Sequence, residues 1–205
     1  NSNIYKDVKD HGISIVFFDR KVEGIDASTV RIDDYLMAFF MVERMIRNGC
    51  RKIVHLAGPD QISNGYNRHR GYREALEKFS IPYDKRYVIQ GGLSAEEGAA
   101  AMEKFMSQGL DIDGLFGFTE TSTLGAKSSL QKMNYRIPED VSLCCISGTT
   151  LCTLVHPTVT AVEQPVIEMA TLSCRLLLKQ IANPNAATES VILRGNIVER
   201  ESFRT

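Results

Sequence analysis

The sequence has almost no net charge: 24 lysines and arginines stand against 25 aspartates and glutamates. That balance excludes a chain that holds nucleic acid through a global basic field, because phosphate neutralisation supplies most sequence-independent affinity. No apolar run approaches the roughly 20 residues a membrane helix needs. The opening segment, NSNIYKDVKD, is polar and lacks the pattern of an export signal. The five cysteines (Cys50, Cys144, Cys145, Cys152 and Cys174) are odd in number and have no metal-like pairing. They read as reduced thiols of a cytoplasmic protein, used as small buried hydrophobes. The four histidines, His11, His55, His69 and His156, show no ligand spacing either, so neither a metal nor a cofactor is expected. GPDQISNG lacks the lysine–serine ending of a phosphate-binding loop, and no G-x-S-x-G elbow occurs. Nothing among these motifs asks for an enzyme.

What is present is an ordinary globular composition, 43% apolar and 24% charged over 205 residues, enough for a sizeable core. Strand and helix patterns alternate. GISIVFFD (12–19) reads as a strand buried on both faces, and TVRID (29–33) as a shorter one. YLMAFFMVERMIRNG (35–49) reads as a helix closed by Gly49. KIVHLAG (52–58) is the next strand, and the helix after it begins near 64–68. There Gly71 is expected to pack closely on the sheet. RYVIQGG (86–92), DGLFGF (113–118) and VSLCCIS (141–147) are further strands. Between the first two of these, Ser94 and Glu97 have capping-box spacing. TVTAVEQP (158–165) leads into an amphipathic helix with Met169, Leu172, Leu176, Leu177 and Ile181 inward. SVILRGNIVERES ends in extended structure with a bend at Gly195. This order predicts an α/β fold with parallel sheets and right-handed crossovers. The chain enters through half a helix feeding a strand, which leaves the first sheet incomplete.

In open α/β sheets, ligands bind beyond the carboxyl ends of the strands. Those ends carry Asp19 and Arg20, Asp33 and Asp34, Gly91 to Leu93, Thr119 and Glu120, and Ser147. The segment NRHRGYREAL adds Arg68, His69 and Arg70 at an expected helix start, where the macrodipole disfavours cations. An arginine there can present a fork of donors to hydroxyls or a carboxylate.

ERMIRNGCRKIVHLAGP (43–59), R-H-R-G-Y-R-E-A-L (68–76), GGLSAEEG (91–98), IPEDVSL (137–143) and PTVTAVEQPVIEMA (157–170) together resemble the effector-binding part of lactose-repressor (LacI/GalR) transcription regulators. The resemblance implies a two-lobed periplasmic-binding-protein-like fold, with an incomplete N-terminal lobe at 1–48 and a C-terminal lobe at 49–163. The chain would return to the N-terminal lobe over 164–185 and end in a C-terminal-lobe tail at 186–205. The crossings would lie near Gly49, Gln164 and Asn185. It implies a cytoplasmic, allosteric homodimer that senses a small sugar or sugar derivative and touches DNA only through a headpiece outside this chain. Arg68 would hydrogen-bond the effector, Asp19 and Arg20 would form the rim, and Asp33 would be the acid beneath it. Leu93, Thr119, Glu120 and Ser147 complete the expected contact set at departures from the family pattern. Thr119–Glu120 replaces the usual Asn–Asp, Ser147 replaces an acid, Leu93 replaces a stacking ring, and Gly92 replaces another acid. A periplasmic solute-binding protein of a transporter would share the lobes and cleft and is the alternative. The reduced-looking cysteines and EQPVIEMA favour the regulator.

Overall fold

The computed structural model describes residues 2–204. After a first helix, α1 (Ser2–Asp10), the chain forms β1 (Val16–Phe18), β2 (Ser28–Ile32), α2 (Asp34–Arg47), β3 (Ile53–Ala57) and α3 (Ser63–Lys78). There follow β4 (Val88–Gln90), α4 (Ala95–Met106), β5 (Gly114–Gly117), α5 (Glu120–Lys132), β6 (Ser142–Ile146) and the short α6 (Leu151–Leu154). The chain ends with β7 (Thr160–Glu163), α7 (Val166–Ala182), β8 (Ser190–Leu193) and β9 (Asn196–Val198). Two sheets result, a three-stranded one in the order β1-β2-β8 and a six-stranded one in the order β4-β3-β5-β6-β7-β9. Every pairing is parallel except β7 with β9.

The six-stranded sheet is covered on both faces, and β3, β5 and β6 are buried throughout, as continuous apolar runs in a parallel sheet should be. One core holds Ile53, Phe116 and Cys144 against α2 and α3, and continues through Val30 and Ile32 to Met169 on α7. The other holds Val54, Leu115, Leu143 and Cys145 against α4 and α5. Cys144 and Cys145 face opposite sides, as neighbours on a strand must. Four cysteines are buried free thiols, whereas Cys174 is exposed. Burial pushes the Cys50 thiol up to about 11.

Several local expectations change. The first strand is short: β1 covers only Val16–Phe18 at the edge of its sheet, and Phe18 is exposed where it borders an open cavity. Helix α2 belongs with the six-stranded sheet rather than the first lobe: Met45 Sδ lies 3.4 Å from Cys144 Sγ on β6. The chain therefore leaves the first sheet at Asp33, not near Gly49. Strand β8 pairs with β2, so residues 190–193 belong to the first sheet and the last crossing is at Gly195 rather than Asn185. The break NPNAAT only joins α7 to β8. A Cβ on Gly71 would meet Tyr35 O at 2.5 Å, so this glycine seats α3 on α2 and not on the sheet. Ile181 lies outward on α7.

Candidate functional site

The order of the larger sheet reverses direction at β3: the chain steps outward to β4, then back across to β5. The carboxyl ends of β3 and β5 thus flank a topological switch point, where such folds leave a crevice. Helix α3 starts at Ser63, so Arg68 stands in its second turn, past the reach of the unpaired first N–H groups. The side chain turns inward and is 1% exposed. Its Nε donates to Asp34 Oδ1 at 2.7 Å, Nη1 to the Phe118 carbonyl at 2.5 Å, and Nη2 more distantly to Ser147 Oγ at 3.4 Å. The guanidinium carbon also lies 4.6 Å from the Phe118 ring centroid.

Asp34, the first residue of α2, is 2% exposed. Burial raises its carboxyl above the usual range, with a nearby Asp19 adding to the rise, while Arg68 pulls it down. Such a pair persists because the remaining donors are satisfied by a carbonyl and a hydroxyl. Beneath it lies His55, fully buried between Phe116 and Tyr72, at centroid distances of 4.9 and 5.1 Å. His55 Nδ1 is 3.1 Å from the Phe116 carbonyl oxygen, and Nε2 has no partner. Burial lowers this imidazole to about 3.

The first sheet meets the second here. Asp19, at the end of β1, has a left-handed backbone (φ 66°). Its Oδ1 accepts from Gln164 Nε2 at 2.9 Å and its Oδ2 from Asn64 Nδ2 at 3.4 Å. Lys21 N donates to Ser63 Oγ at 3.1 Å. Asn64 is buried, and its Oδ1 is left without a partner. Beside this tie lies a cavity of about 780 Å³ lined by Phe18, Arg20, Asp60, Ser63 and Tyr66 among others. Its volume suits a small ligand.

The expected residues divide. Arg68 and Ser147 meet, Asp19 bonds instead to Asn64, four residues before Arg68 on α3, and exposed Arg20 sits on the cavity rim, 3.8 Å from Asp19. Three others serve the backbone. Asp33 caps α2 through Leu36 N at 3.0 Å, and Thr119 caps α5 through Ser122 N at 3.4 Å. Glu120, buried, accepts from Thr149 N, Thr149 Oγ1 and Cys152 N at 2.7–3.0 Å and fixes the loop that carries Ser147. Leu93 is 47% exposed in the turn after edge strand β4. The sequence marks Asp34 only as one of two strand-end acids and does not single out Asn64, Phe118 or Gln164 as contacts of this crevice. The Asp33–Asp34 doublet at a strand end was the visible signal, and only the helix phase shows which acid turns inward. No cluster of potential metal ligands occurs among the described residues.

Comparison with known proteins gives a consistent picture. A family model described as a periplasmic binding protein-like domain matches residues 42–203. The HTH-type transcriptional regulator CelR of Thermobifida fusca is 31% identical over 160 residues, 78% of this chain and 47% of that protein. The ribose operon repressor of Halalkalibacterium halodurans is 26% identical over 200 residues, 98% of this chain and 59% of the repressor. Among solved structures, a CelR–cellobiose complex superposes with a TM-score of 0.93 at 28% identity, covering 98% of this chain and 62% of that one. The regulator CcpA of Lactococcus lactis gives 0.92 at 24% identity, covering 99% and 74%, a likeness of fold. The chain spans about half the length of the curated relatives it matches.

Proposed function

We propose, on the premise that this chain belongs to the family of periplasmic binding protein-like domains carried by lactose-repressor-type regulators, that it is the effector-sensing part of such a DNA-binding regulator. The observation that carries the reading is the buried fork of Arg68 at the switch point, beside a carboxylate that ties the two sheets together. A ligand in the cavity would meet Arg20, Ser63 and Tyr66, and Arg68 and Asn64, both buried behind it, would be reached only if the two sheets shift. Asp33, Thr119 and Glu120 act from behind by holding helix starts and the loop at Ser147. Leu93 supplies no aromatic ring, so stacking contributes nothing there.

The effector class is a sugar or sugar derivative. A solved CelR carries cellobiose, and the ribose operon repressor is named for its operon. The whole protein works in the cytoplasm as a homodimer, and a separate headpiece contacts DNA. It is a regulator rather than an enzyme, as its relatives are. Binding is linked to DNA affinity only if the effector prefers one lobe arrangement over another.

Isothermal calorimetry of the intact regulator with neutral sugars, sugar phosphates and uronic acids tests this. One class should bind saturably and change operator affinity in a gel shift. Silence from every class, with operator binding indifferent to cell extract, overturns the reading. The present chain alone should give no operator shift.

A further inference from the structure

We propose that the groove between α2 and the last crossing is a second ligand site, one that takes a small phosphate-bearing anion and holds the two lobes in one arrangement. The link to regulation rests on the reading of the protein as an effector-sensing regulator; the anion site does not.

Two of the crossings between the sheets run side by side. Asp33 N donates to the Leu193 carbonyl at 3.3 Å, where β2 leaves for α2 and β8 leaves for β9. The second of these is wedged in place. A Cβ on Gly195 would stand 2.6 Å from Val162 Cγ1 and 3.3 Å from Met37 Sδ. Against it lies a cavity of about 420 Å³, walled by Met37 and Arg44 of α2 and by Arg194, Gly195, Asn196 and Ile197. No residue lines both this cavity and the larger one at Arg20 and Tyr66.

The lining sets the ligand class. It holds two arginines, one side-chain amide and no carboxylate. Arg194 is exposed and makes no ion pair among the described residues. Arg44 is paired with Glu199, and these side chains are 46% and 45% exposed. Such a pair contributes little, so an incoming dianion displaces Glu199 at small cost. Guanidinium forks match phosphate oxygens, which only accept, and Asn196 has an amide N–H to add. The volume takes a phosphate ester of a small metabolite as well as the bare ion.

The placement gives binding a consequence. Arg44 rides on α2, which packs on the larger sheet, whereas Arg194 directly follows β8 of the smaller one. An anion gripped by both spans the crossing, so rotation of the lobes about Gly195 changes the distance between its two holders. It therefore favours one lobe arrangement, which is the condition for altering effector affinity.

Calorimetry of the chain with pyrophosphate and with inorganic phosphate tests the site. Pyrophosphate should bind saturably, and Arg194→Gln and Arg44→Gln should each weaken it by about tenfold. Glu199→Gln should tighten it by releasing Arg44. Absence of pyrophosphate binding, or binding that both arginine variants leave unchanged, overturns the site. Should Arg44→Gln not fold, Arg194→Gln decides alone, because its side chain is on the surface. Hydrogen exchange of the amides at 193–197 should slow by about tenfold when pyrophosphate is added. Unaltered exchange overturns the restraint and leaves the anion site. In the intact regulator, pyrophosphate should change the affinity for the sugar that binds by about fivefold or more. An unaltered affinity overturns the coupling. If no sugar binds, the effector reading fails, and pyrophosphate binding and exchange still decide the site.

Discussion

Arg68 and Asp34 are each other's condition for being buried. Removing the arginine alone strands a carboxylate among apolar groups, so Arg68→Met should lower unfolding stability by about 3–5 kcal/mol. Replacing both, Arg68→Met with Asp34→Leu, should recover most of that loss, and urea titrations of the single and double variants measure the coupling. His55 supplies a second residue-scale expectation. Its folded value of about 3 lies below the ordinary 6.5, so the unfolded chain takes up a proton that the folded chain refuses. Stability is therefore fully present above pH 6.5 and falls as the pH drops toward 3, by on the order of 4 kcal/mol at the lower end. His55→Phe, which keeps the stack with Phe116 and Tyr72, should flatten that slope in chemical denaturation at a series of pH values. Neither effect was legible in the sequence. A histidine inside KIVHLAG shows that it sits on a strand, but not that its Nε2 lacks a partner.

Among the elements, the pair α4 and α5 shows how local code and packing combine. Ser94 Oγ accepts from Glu97 N at 3.1 Å, and Glu97 Oε2 accepts from Ser94 N at 2.9 Å, a reciprocal cap read from spacing alone. The two helices then approach through glycines. A Cβ on Gly98 would stand 2.0 Å from Ser122 O, and one on Gly125 1.8 Å from Ala95 O. Both neighbours are helix-region backbone and cannot swing aside. Gly125→Ala should destabilise by roughly 1–3 kcal/mol despite alanine's better helix propensity, as a drop in denaturation midpoint would show. Strand order along the chain was equally readable, because apolar runs of four to six residues alternated with 3.6-period stripes. The phase of the helix after KIVHLAG was not. Its N-cap, Ile62, makes no side-chain cap bond, so no capping residue marks the start at Ser63, and the pattern puts Arg68 in the first turn although it stands in the second.

For the whole molecule, the decisive contacts are few. Asp19 receives Gln164 and Asn64, and Lys21 N reaches Ser63 Oγ, so one loop holds the small sheet against the large one. Asp19→Ala removes two of these three bonds. It should increase the radius of gyration in small-angle scattering and weaken effector binding by roughly tenfold, since each lost bond contributes on the order of 1 kcal/mol. An unchanged scattering curve would show that packing through Val30, Ile32 and Met169 holds the lobes without help.

By itself the sequence determined the α/β class, the order of strands, the family resemblance, and the arginine at the crevice. These depend on periodicity and on residues close together in the chain. Only the tertiary structure decided that α2 belongs to the larger sheet, that β8 returns to the smaller one, and that Asp34 rather than Asp33 meets Arg68. A strand's apolar pattern says that it will be buried but not beside which strand. Two adjacent acids have the same chemistry until a helix turns one outward as its cap and the other in toward a guanidinium 34 positions further along.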